Sequence, residues 1–320
     1  MKDRFQREID YIRISVTDKC NFRCRYCMPE EGVETIPHSE VLSFEEIVRV
    51  VSVLSELGIK KVKITGGEPL VRRDICTLIQ KIAKISGIED ITLTTNGFLL
   101  GEMAEQLKRA GIRTINVSVD TLNRREFADI CRRDGLDQVL DSIERAKNLG
   151  LEIRINTTVS EESNLKELFE LLEYFVNRDI PVRFIELMPI GCGHGSRVKN
   201  QDLQKMLKKR YPDFVRSNFS GNGPAIYYTF GKNKKVGFIS AVHNKFCESC
   251  NRIRLSCDGK IKPCLASSLS YDIKAVLRSG GDDKKLKESL EQAIFYKPLE
   301  HHFGKEQSGC IKNTMNQIGG

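Results

Sequence analysis

Apolar positions alternate between two rhythms along the first two thirds of the chain. Short runs rich in β-branched residues at 11–16, 61–65, 91–95, 114–119, 152–159 and 182–187 predict strands. Between them apolar residues recur every three to four positions, as in Phe44, Ile47, Val48, Val51, Leu54 and Leu57, which predicts amphipathic helices. Ser43 followed by Glu46 reads as a capping box at the start of that helix. Strand–helix alternation of this length implies a parallel sheet with right-handed crossovers. The expected fold is therefore α/β, an incomplete (β/α)6 version of the TIM barrel. In such barrels function sits at the C-terminal ends of the strands, where the loops 66–69, 94–97, 118–120 and 188–191 fall.

The rhythm changes after Gly191-Cys192-Gly193-His194-Gly195. Short strands are expected at 225–230, 236–240, 253–256 and 260–264, joined by turn signals such as Asp258-Gly259, then helices near 271–279 and 282–296. Two units follow: a partial barrel over 1–195 and an α+β C-terminal domain over 196–320 that caps the barrel's open side.

Composition narrows the class. The chain has 320 residues, 40% hydrophobic and 29% charged, with no apolar run long enough to span a bilayer, as expected of a soluble enzyme. Its start is polar and lacks the apolar core of a secretory signal, so a cytoplasmic location and no membrane partner are expected. Eleven cysteines then argue for a reducing compartment and metal ligands rather than disulfides. The net charge of +8 suits a nucleic acid or a polyanionic small substrate equally; there is no basic tail and no basic run interleaved with aromatics. Lys232-x-Lys234-Lys235 reads as a solvated turn.

Six cysteines fall in two spaced sets; Cys76, Cys131, Cys192, Cys257 and Cys310 are scattered and read as small hydrophobes. Cys20, Cys24 and Cys27 form C-x3-C-x2-C, a spacing that lets one loop wrap three thiolates around a 4Fe-4S cluster and leave one iron open. Structural zinc takes four ligands, and His38, the nearest candidate, is poorly spaced. The second set, Cys247-x2-Cys250-x13-Cys264, reads on spacing alone as a zinc ribbon with His243 as a fourth ligand. Gly66-Gly67-Glu68-Pro69 is by itself a plausible strand–helix loop, and Thr94 and Ser118 alone are ordinary strand-end hydrogen bonders. Arg252 and Arg254 alternate on a predicted strand and point to one face, suited to phosphate or to a solvated edge.

Taken together, the cysteine loop with Tyr26 before its last ligand, GGEP, Thr94-Thr95-Asn96-Gly97, Asn116-Val117-Ser118-Val119-Asp120, the second cysteine set around Asn251-Arg252-Ile253-Arg254 and the terminal Gly319-Gly320 resemble the radical S-adenosylmethionine (SAM) superfamily. Within it they resemble the GTP 3′,8-cyclase family of molybdenum cofactor biosynthesis, from about Arg13 to the end. The resemblance implies two 4Fe-4S clusters and SAM as cofactors, with GTP as substrate and the second triad holding a cluster whose open iron binds guanine. It implies SAM contacts at Tyr26, Gly67, Glu68, Ser118 and Met188, and nucleotide contacts at Arg13, Lys61, Thr94, Arg183, Arg252, Ile253 and Arg254. Lys63 stands where the family commonly has Arg, and Arg154 where it commonly has Lys; charge survives, but the two are not interchangeable at a bidentate contact. Arg252, Arg254, Gly319 and Gly320 are the implied catalytic residues. An electron donor such as flavodoxin or ferredoxin, product hand-off to cyclic pyranopterin monophosphate synthase and no nucleic acid complete the expectation, with a homodimer as the one oligomer considered. The alternatives are a peptide-modifying radical SAM enzyme with an auxiliary cluster, and a zinc-ribbon nucleic-acid-binding protein.

Overall fold

The alternating strands and helices form a parallel sheet in chain order: β1 (Tyr11–Ser15), β2 (Lys61–Thr65), β3 (Asp90–Thr95), β4 (Thr114–Ser118), β5 (Glu152–Val159) and β6 (Val182–Glu186). The computed structural model describes residues 1–301 except 196, 197, 220 and 222, together with 303 and 315. Gly319 and Gly320 therefore lie outside the described residues, as does Cys310.

Helices α1 (Phe44–Glu56), α2 (Ile75–Ala83), α3 (Leu100–Ala110), α4 (Arg124–Cys131), α5 (Leu136–Asn148) and α6 (Leu165–Val176) cross between these strands. The capping box of α1 is present: Glu46 N–H donates to Ser43 Oγ at 3.1 Å and Ser43 N–H to the Glu46 carboxylate at 2.7 Å. The outward positions of the strands, among them Ile12, Ile14, Val62, Ile64, Leu93, Ile115, Val117, Ile155 and Phe184, are completely buried in the core beneath the helices. Alternate positions point the other way, so Arg13, Lys63, Thr94, Asn116, Ser118, Asn156 and Arg183 share the inner face. The period-2 pattern thus puts apolar residues under helices and polar ones inside the barrel.

The C-terminal strands are β7 (Val215–Arg216), β8 (Ile226–Phe230), β9 (Lys234–Ile239), β10 (Arg252–Leu255), β11 (Lys260–Lys262) and β12 (Tyr271–Asp272), with α7 (Asn200–Arg210), α8 (Ile273–Arg278) and α9 (Asp283–Phe295). They do not only cap the barrel. β10 pairs parallel with β1, and β9 parallel with β6, so the described residues make one sheet in the order β12-β11-β10-β1-β2-β3-β4-β5-β6-β9-β8-β7. Tyr271 and Asp272, expected in a helix, instead form β12, with Asp272 capping α8 through Ala275 N–H at 2.9 Å. Lys234 and Lys235, expected in a turn, begin β9; Lys234 Nζ reaches Asn177 at 2.6 Å and Lys235 lies over the Phe219 ring. Asp258-Gly259 does turn the β10–β11 hairpin, with Gly259 at φ +82°, a conformation that disfavours a side chain.

Candidate active site

A cavity of about 350 Å³, within the ~300–1,000 Å³ usual for ligand pockets, is lined both by the cysteine loop that follows β1 and by the second triad beside the start of β1. All six spaced cysteines line it, together with Arg13, Tyr26, Lys63, Gly67, Thr94, Ser118, Arg183, Met188, Arg252 and Arg254.

The first cysteine loop is built against GGEP. Gly67 N–H donates to Thr17 O at 2.7 Å and Glu68 N–H to Lys19 O at 2.8 Å. A Cβ on Gly67 would stand 2.4 Å from Lys19 O and 2.7 Å from Asp18 O, so only glycine allows this approach. The loop then winds one turn, with the N–H groups of Cys27 and Met28 donating to Cys24 O at 2.8 and 3.1 Å. Arg23 and Arg25 N–H tie it to the carbonyls at the end of α4, Cys131 and Ile130, at 2.9 Å each. Phe22 packs edge-on to Phe98 and Phe127 beneath. Burial pushes the Cys20 thiol up to about 12. Cys24 is pushed well above the usual range, first by its contact with the Cys131 thiol and then by burial.

Tyr26 Oη donates to Asp120 Oδ2 at 2.7 Å, and Thr158 N–H donates to Asp120 Oδ1 at 2.7 Å. Desolvation raises both groups, with the half-buried Asp120 carboxyl two residues past the end of β4.

The second triad sits on a 3₁₀ turn, Cys247–Ser249, followed by β10, with Cys264 two residues past β11. Arg7 clamps it from below: its guanidinium donates to Cys247 O at 2.8 Å, Leu299 O at 2.8 Å and Pro298 O at 2.7 Å, while pairing with Asp3 at 2.6 Å. Burial would raise the Cys250 thiol, yet the charges of Arg252 and Lys297 outweigh it and bring it down to about 6.

Between the triads the wall is basic. Burial first, then mutual repulsion, pulls Lys63 and Arg254 well below their usual ranges, and burial also lowers Arg13 and Arg183. Among the described lining residues Glu186 is the one carboxylate, and it accepts from the N–H groups of Asn200, Val242 and His243. The wall is therefore short of negative charge and suits an anion.

Four expected contacts do not reach this wall. Lys61 lies in the same layer as the lining residues Tyr11 and Arg252 but pairs with Asp10 at 2.8 Å instead. Arg154, two residues before Asn156, pairs with Glu152 at 2.7 Å. Ile253 has the opposite parity to Arg252 and Arg254, and its side chain is completely buried in the core. The Glu68 carboxylate turns away from the cavity and accepts from Leu70 N–H, Thr95 Oγ1 and Asn96 N–H at 2.9, 2.8 and 2.7 Å. Asn156, Thr158 and Lys297, not singled out from the sequence, take wall positions instead, as does Asn96 of the Thr94–Gly97 motif. Asn156 Oδ1 is a buried acceptor with no partner among the described residues. Its strand parity with Arg154 was the available signal.

Both triads fit iron–sulfur clusters better than zinc. All six thiols are free and line the cavity. A cubane cluster takes each thiolate at a separate iron, so its ligands stand apart. His243, the expected fourth zinc ligand, has its Nδ1 3.3 Å from Glu186 and is not on the wall.

A parallel partial barrel with three cysteines on one loop, packed on a glycine turn at the strand ends, defines the radical SAM class. Residues 14–175 match the family model described as the radical SAM superfamily, and residues 180–303 match the one described as Molybdenum Cofactor Synthesis C. Over its whole length the chain is 42% identical to the GTP 3′,8-cyclases of Desulforamulus reducens and Clostridium perfringens and 40% identical to that of Thermodesulfovibrio yellowstonii, covering all of each. The chain belongs to the GTP 3′,8-cyclase family of radical SAM enzymes. In fold it is similar to Streptococcus suis SuiB bound to S-adenosylmethionine, at a TM-score of 0.61 and 17% identity, covering 86% of this chain and 66% of that longer one. It is equally similar to anSMEcpe with bound AdoMet, at a TM-score of 0.61 and 18% identity, covering 92% and 82%. Among the described residues no helix is long and apolar enough to cross a membrane.

Proposed function

We infer that this chain converts GTP to (8S)-3′,8-cyclo-7,8-dihydroguanosine 5′-triphosphate, the first step of molybdenum cofactor biosynthesis. The observation that carries the reading is the single cavity with a cysteine triad at each end and Arg13, Lys63, Arg183, Arg252 and Arg254 between them. When bound, a 4Fe-4S cluster at Cys20, Cys24 and Cys27 together with SAM supplies one-electron cleavage and a hydrogen-abstracting carbon radical.

The chain's own residues orient the two reactants. Gly67 opens backbone toward the methionyl part of SAM, while Tyr26, Ser118 and Met188 bound the space beside the first triad. Thr94 and the cations hold GTP, whose triphosphate carries about four negative charges, in a wall deficient in carboxylates. Cys247, Cys250 and Cys264 would hold the second cluster, which would supply a binding point for the guanine end with the ribose toward the first site. Burial of the walls keeps water from a reactive carbon centre. In this reading the C-terminal unit from residue 196 carries the second cluster, Gly319 and Gly320 complete the site, a low-potential donor such as flavodoxin or ferredoxin supplies electrons, and the product passes to cyclic pyranopterin monophosphate synthase.

Metal and sulfide analysis of anaerobically purified protein tests the assignment. Iron with equimolar acid-labile sulfide, halved when Cys247, Cys250 and Cys264 are all replaced by Ser, is expected. Zinc at the second triad would contradict it.

A further inference from the structure

Lys297 is buried to within 2% of full enclosure, at the chain's exit from α9, and it forms part of the cavity wall. Its ammonium donates to Arg252 O at 2.8 Å and to Pro263 O at 2.6 Å. Those carbonyls belong to the residue two past Cys250 and to the residue just before Cys264. One side chain thus ties together the strand and the hairpin end that present two of the three thiols of the second triad.

Arg7 makes a similar clamp on Cys247 O, but its charge is balanced by the buried Asp3 carboxylate. Lys297 has no carboxylate partner among the described residues, only two neutral carbonyls. A buried cation without a counterion is costly, and two carbonyl dipoles offset that cost only in part. An ammonium has three N–H groups, and the third is left for the cavity side. The missing negative charge must come from what the site holds, and Cys250 and Cys264, whose chain segments carry the two carbonyls, line the same cavity as Lys297.

We propose that Lys297 is a positioning residue for the second iron–sulfur cluster: its uncompensated charge lies against the Cys250–Cys264 side of the cluster, raises its reduction potential and holds both ligand segments in register. The proposal rests on the second cluster occupying Cys247, Cys250 and Cys264. The physical basis is that a fixed positive charge beside a cluster favours the more negative, reduced state.

Lys297→Gln separates charge from tethering, because a Gln amide still donates two hydrogen bonds but is neutral; Lys297→Arg keeps the charge. EPR-monitored redox titration of the reconstituted full chain, with iron and sulfide counted in each variant, reads the effect. The second cluster of Lys297→Gln is expected at a more negative potential than wild type, with the first cluster unmoved and Lys297→Arg close to wild type. Loss of the second cluster from the Gln variant but not the Arg variant supports the same conclusion, since the charge is then needed to hold it. A loaded Gln variant at the wild-type potential, or Gln and Arg variants that fail alike, overturns it. Wild-type protein with only one cluster would instead sink the underlying site assignment.

Discussion

Tyr26 and Asp120 are 94 positions apart in the chain, yet the phenol of one donates to the half-buried carboxylate of the other at 2.7 Å. The bond links the cysteine loop to the end of β4, and Thr158 N–H holds the second carboxylate oxygen from β5. Asp120→Asn keeps the shape but replaces an acceptor with a donor. SAM binding is expected to weaken about tenfold, the size of one hydrogen bond to a charged group, with cluster content unchanged. Tyr26→Phe should cost about the same, and the double variant little more, because both remove one interaction. Additive losses in a SAM titration would show that the two residues act separately.

Gly67→Ala is the sharpest backbone test. The added methyl meets Lys19 O at 2.4 Å, a contact that backbone alone must relieve. Displacing the turn moves the loop that carries Cys20, so SAM binding should fall by at least about a hundredfold, the scale on which a ~1 Å misplacement costs activity. GTP binding, on the other wall, should stay within a few-fold. Calorimetric titrations with each ligand separate the two.

Glu68 gives a pH signature. Burial outweighs its three donors and pushes its carboxyl up to about 7, above the ordinary 4.5. Between those values the folded chain holds a proton that the unfolded chain has released. Its contribution to stability is therefore present below the ordinary value and lost as pH rises through 7, by up to ~3 kcal/mol. Thermal melts from pH 5 to 8 should show wild type losing ground to Glu68→Gln as pH rises. Parallel melting curves would remove the proton from the account.

The basic wall makes a contrast between two cations of the same inner face. Arg254→Ala should weaken GTP binding at least about tenfold, since a desolvated charge-assisted contact contributes ~1.5–3 kcal/mol. Lys61→Ala should leave it within about twofold, because that ammonium is paired with Asp10 off the wall. Fluorescent-nucleotide titration that ranks the two equally would place Lys61 in the site after all.

That contrast also shows what the sequence could disclose. Strand periodicity assigned Lys61 and Lys63 to one face correctly, but Lys61 shares its layer with Tyr11 and Arg252, which do line the cavity, and periodicity does not disclose the ion pair with Asp10 that holds Lys61 off the wall. The six parallel strands were legible because each is long and apolar on its outer face. β7 and β12, two residues each, offer no period to read. The pairing of β10 with β1 and of β9 with β6 joins segments far apart in sequence, and no local pattern encodes such partners. Spacing identified the cysteines, whereas Lys297 belongs to no motif; its meaning lies in burial and in two carbonyls brought to it from β10 and the hairpin.

The central claim is that the cavity holds GTP with its ribose toward the first triad, so that hydrogen is taken from C3′ and the C3′–C8 bond forms. Anaerobic reaction of the reconstituted protein with SAM, dithionite and GTP deuterated at C3′, followed by mass analysis of 5′-deoxyadenosine and the nucleotide product, measures this directly. One deuterium in 5′-deoxyadenosine and a cyclised dihydro-GTP are the predicted result. Unlabelled 5′-deoxyadenosine beside unchanged GTP would contradict it.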